Sequence, residues 1–88
     1  MQITYLPHAR RRMEEREISE EEVRTTLESP DLEYPGNQGR TVAELTQPGR
    51  RLATKVVYNR GSEAEDERIV VTVERGRPTR AVPEGVEG

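Results

Sequence analysis

The chain has 88 residues and a formal net charge of −3, with no cysteine, phenylalanine or tryptophan and one histidine. This length excludes two ordinary domains. The missing cysteines exclude a disulfide scaffold and a thiolate metal site, and a single histidine excludes a multi-histidine zinc site within one chain. No run approaches the ~18 apolar residues of a membrane span, and the first twenty residues lack the apolar stretch of a secretory signal. A cytoplasmic location, with no membrane partner, is therefore expected. Leu, Ile and Val supply only 17 of the 88 residues, a share at the edge of disorder. The small net charge and the clustering of the apolar residues argue for folding instead. One domain is expected over residues 1–75, with a flexible tail over 76–88.

Gln2–Leu6 reads as a short β-like stretch. Pro7 suits a first helical position, where its missing N–H costs nothing, and a helix is predicted over residues 8–17. Ala9 and Met13 form its apolar stripe, and Arg10–Glu14 and Arg11–Glu15 are i,i+4 ion pairs on the outer face. Ser19-Glu20-Glu21-Glu22 has the form of a capping box, so a second helix runs over 19–28 and buries Val23 and Leu27. Pro30 stops it.

The period then changes to two. Asp31–Tyr34 is a candidate short strand, and Pro35–Gly39 is turn chemistry. Arg40–Gln47, Arg51–Asn59 and Glu67–Arg75 are predicted strands, the last holding the most apolar run, Ile69–Val73. From Gly76 the sequence is rich in Pro and Gly with little to bury. The expected fold class is α+β: a two-helix hairpin packed on a three- to four-stranded antiparallel sheet. Alternation puts Leu52, Thr54, Val56 and Tyr58 under the helices, with Ile69, Val71, Val73, Thr41, Ala43 and Leu45. The opposite face then carries Arg40, Val42, Glu44, Arg51, Lys55, Val57, Val70 and Thr72.

Charge is segregated along the chain. Residues 36–60 hold Arg40, Arg50, Arg51, Lys55 and Arg60 against Glu44 alone, and Arg75, Arg77 and Arg80 follow without an acid between them. A mildly acidic protein can thus present one basic face, a platform for a polyanion such as RNA. The acids Glu20–Glu22 fan around a helix turn rather than converging, so they cap and do not bind metal. Gly36-x-x-Gly39 precedes no helix and is not a phosphate loop. No metal and no cofactor are expected.

The pattern His8-Ala9-x-x-Arg12-Met13-x-x-Arg16-x-Ile18, with Val23, Pro30, Gly39-Arg40, the Leu52–Tyr58 strand and Val70–Val73, resembles the small bacterial family known as domain of unknown function 4258. The resemblance spans roughly residues 5–74. Pro7 replaces a typical capping Ser, and Glu17 stands where Gly is common. That family is similar to the RelE/ParE toxin superfamily, which implies a RelE-like fold and, in many relatives, metal-independent ribonuclease activity. An antitoxin-like protein or a second copy of the chain would then be a partner.

Such a ribonuclease needs a base, cations on the phosphorane and an acid for the leaving oxygen. His8, Arg12 and Arg16 form one slanted line on the first helix. The candidate catalytic set is His8, Arg12, Lys55 and Tyr58, and the candidate RNA-binding set is Arg16, Arg40, Arg51 and Thr72. Each has a structural alternative: His8 as a helix-end residue, Arg12 and Arg16 as braces, Tyr58 as core, Lys55 and Arg40 as solvated surface. Two readings follow, a toxin-like endoribonuclease or RNA-binding domain, and a non-catalytic structural or protein-interaction module on the same fold.

Overall fold

The computed structural model describes residues 1–61 and 66–79, so most of the expected tail over 76–88 lies outside the described residues. Strand β1 (Gln2–Tyr5) leads directly into helix α1 (Pro7–Arg16), opened by Pro7 as the sequence predicts. Glu17 closes α1 in the left-handed region at φ 55°, its amide donating to the carbonyls of Glu14 and Met13. A residue other than glycine there costs about 1–2 kcal/mol, which is the reason glycine suits the position. Helix α2 (Glu20–Glu28) follows at once. The expected capping box is half formed. The Ser19 hydroxyl accepts from the Glu22 amide at 3.0 Å, but the Glu22 carboxylate turns inward to Thr54 and Arg75. The two expected outer-face ion pairs do not form either. Arg10 pairs with Glu20, and Arg12 with Glu15, because the tight interhelical turn brings Glu20 within reach.

Past Pro30 the chain builds β2 (Leu32–Pro35), a 3-10 turn at Asn37–Gly39, β3 (Thr41–Leu45), β4 (Ala53–Arg60) and β5 (Glu67–Gly76). Among the described residues the sheet has five strands in the order β1-β5-β4-β3-β2. This corrects the expected all-antiparallel sheet of three or four strands, because β1 joins the edge of β5 in parallel, from Gln2 beside Glu67 to Tyr5 beside Val70. The helical hairpin carries the chain across one face to the far edge. The antiparallel meander then returns strand by strand, so the last strand arrives beside the first and runs the same way.

A bulge corrects the face assignment. Val57 pairs with Thr72 but Tyr58 pairs with Val70, so Val71 is an extra residue on β5 and the alternation slips by one. Val70 and Val73, three apart, therefore both point at the helices and are fully buried. They join Ala9, Met13, Ile18, Val23, Leu27, Ala43, Val56 and Tyr58 in one core, with Met1, Ile3 and Tyr5 packed on its margin. Leu52, expected inside, precedes β4 and is 45% exposed. No helix among the described residues is long and apolar enough to cross a membrane.

A clamp joins the two layers. Arg75 donates to both carboxylate oxygens of Glu22, at 2.7 and 3.2 Å, and to the carbonyls of Arg16 (3.3 Å) and Glu17 (3.0 Å). One guanidinium thus caps the last carbonyls of α1 and ties the end of β5 to the first turn of α2. Burial pushes the Glu22 carboxyl up. The hydrogen bonds from Arg75 and Thr54, with the Arg75 charge, outweigh it and hold the group below its ordinary value.

Candidate anion-binding groove

The β3–β4 connection turns at Gln47-Pro48-Gly49-Arg50. The Arg50 amide donates to the Gln47 carbonyl at 3.0 Å, and Gly49 sits at φ 83°. Proline at the second position and a positive-φ glycine at the third define a type II turn, which fixes where Arg50 leaves the backbone. The last rung of the β4–β5 ladder is Ala53 opposite Gly76. Residues just before β4 therefore meet residues just after β5. The two basic segments of the sequence come together here around an open groove lined by Gly49, Arg50, Arg51, Leu52, Arg75 and Arg77.

Arg75 is committed to Glu22. Arg50, Arg51 and Arg77 are exposed, and none has a carboxylate within 4.0 Å among the described residues. Three guanidiniums outside any close ion pair, of which Arg50 feels the Glu22 charge at longer range, line one concavity and form a site for an anion, since each offers a planar fork of donors matching phosphate or carboxylate oxygens. The exposed Leu52 gives the same groove one apolar contact.

The other side chains singled out by sequence lie elsewhere, and not together. Lys55 and Tyr58 are three apart on β4, hence on opposite faces. Tyr58 is 1% exposed under the helices, donating to Glu33 at 2.8 Å. Burial, and then the Glu33 carboxylate, push its pKa up, and the Arg68 guanidinium lies 5.8 Å from its ring centre. Lys55 is on the back of the sheet, 3.6 Å from Glu44 and directly across from Glu74. That back face is thus not the open basic platform expected at this point, because two glutamates flank its lysine. Thr72 shares it, opposite Val57.

His8 is exposed on the first turn of α1, and Arg16 is exposed on the last. Arg12 reaches Glu15 at 3.6 Å. Arg40 ends the 3-10 turn, its amide donating to Asn37 and its carbonyl accepting from Gly36. It lines a separate shallow hollow by the β2–β3 connection. Of the predicted set, only Arg51 lies in the arginine groove. Arg50, Arg75 and Arg77 carried a signal in the sequence, since both basic clusters sit at strand ends that antiparallel pairing brings side by side. Among the described residues no three His, Asp or Glu side chains group as a metal site would require.

A family model described as Domain of unknown function (DUF4258) matches residues 5–75, most of the chain. The chain belongs to this family. No curated protein and no solved structure matches it. The DUF4258 match ends at Arg75, the residue of the clamp. It therefore includes Arg50 and Arg51 on one wall of the groove and stops short of Arg77 on the other.

Proposed function

We propose that this DUF4258 domain is a non-catalytic RNA-binding module that grips the phosphate backbone through the arginine groove. The observation that carries this reading is the set of three exposed arginines, Arg50, Arg51 and Arg77, around one concavity without a carboxylate partner among the described residues. Tyr5, Tyr34 and Tyr58 all lie outside the groove lining, so bases find no ring to stack on and binding is insensitive to sequence. A ribonuclease of the RelE/ParE kind would need its base, acid and cations around one phosphate. The separation of Lys55 from Tyr58 by the sheet, and the glutamates flanking Lys55, favour binding without cleavage.

The net charge of −3 opposes polyanions at long range, so affinity rests on local contacts and responds to salt. Three phosphate contacts give a log–log salt slope of about −2, which is a loss of affinity of about 18-fold between 50 and 200 mM salt. The test is fluorescence polarisation with a labelled 12-nucleotide oligouridine, with the same RNA run on a gel after incubation in EDTA. Binding with that salt response, its loss in Arg51→Glu, and intact RNA are expected. Absence of binding at 50 mM salt would refute the reading. Cleavage that disappears in Lys55→Ala would replace it with the enzyme reading.

A further inference from the structure

Glu44 is 3% exposed although it lies on the sheet face that no helix covers, opposite Lys55. Its cover comes from the other end of the chain. The Thr79 amide donates to Oε1 at 2.9 Å and the Thr79 hydroxyl to Oε2 at 2.5 Å. Tyr34 donates its hydroxyl to the same Oε2, and that hydroxyl lies 3.3 Å from the Thr79 oxygen. Lys55 Nζ stands farther off, at 3.6 Å. A buried carboxylate is costly unless its oxygens are saturated by donors. Here two of the three hydrogen-bond donors come from Thr79, 35 residues away in sequence, among the described residues past β5, which have no secondary structure of their own.

Thr79 is two residues beyond Arg77, and the residue between them is Pro78. The proline ring fixes one of the few torsions separating the two. Anchoring Thr79 therefore confines the Arg77 backbone. An arginine confined before its ligand arrives has less entropy to lose on binding than one on a free end. We propose that Glu44 is a latch that seats Arg77 in the groove, making Glu44 and Thr79 positioning residues for phosphate recognition. This deepens the RNA-binding reading and rests on it for its consequence. An ion pair with Lys55 alone does not account for the arrangement, since the shortest bonds to Glu44 are to the neutral hydroxyls of Tyr34 and Thr79.

The test is a double-mutant cycle on the full chain, read with labelled 12-nucleotide oligouridine. Removing Arg77 leaves two contacts, so Arg77→Ala lowers the affinity loss between 50 and 200 mM salt from about 18-fold to about 7-fold. Thr79→Val keeps the side-chain shape and removes the hydroxyl. It is expected to give a salt response near that of Arg77→Ala, and adding Arg77→Ala to it changes little. Fully additive losses would overturn the latch. A second measurement needs no RNA: amide hydrogen exchange at Thr79 by NMR. Protection in the parent and its loss in Glu44→Gln are expected. Exchange at the rate of an unstructured peptide in the parent overturns the latch even where oligouridine binds. Protection in a parent that does not bind oligouridine overturns the RNA role while Glu44 still holds the segment.

Discussion

Replacing Arg75 by methionine tests the main link between helices and sheet. The guanidinium is mostly buried, with its side chain 19% exposed against 11% for Glu22, so solvent cannot substitute for it. The substitution removes two charge-assisted bonds to Glu22 and two to the carbonyls of Arg16 and Glu17, and leaves the carboxylate with the Thr54 hydroxyl and the more distant Arg50 charge. Breaking a buried pair from one side costs about 3–5 kcal/mol; partial exposure brings this to about 2–4. A chain of this length is stable by only about 4–13 kcal/mol in total. In a small domain 1 kcal/mol moves Tm by about 4–8 °C, so a fall of about 8–32 °C is expected by calorimetry. Glu22→Gln relieves the stranded charge, and the double variant should cost less than the sum of the singles by about 1.5–3 kcal/mol. A loss below about 1 kcal/mol for Arg75→Met, or strict additivity, would refute the clamp.

Two further outcomes are expected. Glu22 and Glu44 both titrate lower in the folded chain than their ordinary 4.5. For Glu44, burial pushes up, and the hydrogen bonds from Thr79 and then Tyr34, with the Lys55 charge, outweigh it. The unfolded chain therefore binds more protons on acidification. The contribution of both groups is complete above about pH 4.5 and is lost as pH falls through the lowered folded values. Urea midpoints measured from pH 7 to pH 3 should drop in that window, and Glu22→Gln should flatten the drop. The bulge predicts opposite behaviour at adjacent positions: Val70→Asp, wholly buried, should cost more than about 4 kcal/mol and unfold the domain. Val71→Asp should cost about 1 kcal/mol. Circular dichroism of the two variants decides it, and equal damage would refute the register.

Both helices were legible because their ends carry local chemistry: Pro7 at the first position of α1, Ser19 at the cap of α2, Pro30 after it. The strands were legible from Val and Thr alternation. What sequence could not show is what long-range pairing decides. Nothing in Gln2–Tyr5 says that it will lie against Glu67–Val70. The Val71 bulge leaves no mark in a run of branched residues, and it put Val70 inside in place of Ile69 and Val71 while Val73 stayed where it was expected. Glu44 looked like a stray acid in a basic segment, and only Thr79 and Tyr34 explain its burial. The arginine groove was half visible as two charge clusters, each next to a strand end. Their juxtaposition required the Ala53–Gly76 rung.

The parallel rung between β1 and β5 joins Gln2 to Glu67, so the first strand of the described sheet must wait for the fifth. Until residues 67–76 emerge, β1 has no neighbouring strand, Val70 and Val73 are missing from the core, and α1 lacks the strand it packs on and the Arg75 bonds to its last carbonyls. A nascent chain stopped before Glu67 therefore exposes Ala9, Met13 and the β4 valines without any route to closure. Folding of this domain is complete only once β5 clears the exit tunnel. A stalled or prematurely terminated product is a substrate for proteases rather than a partly working protein.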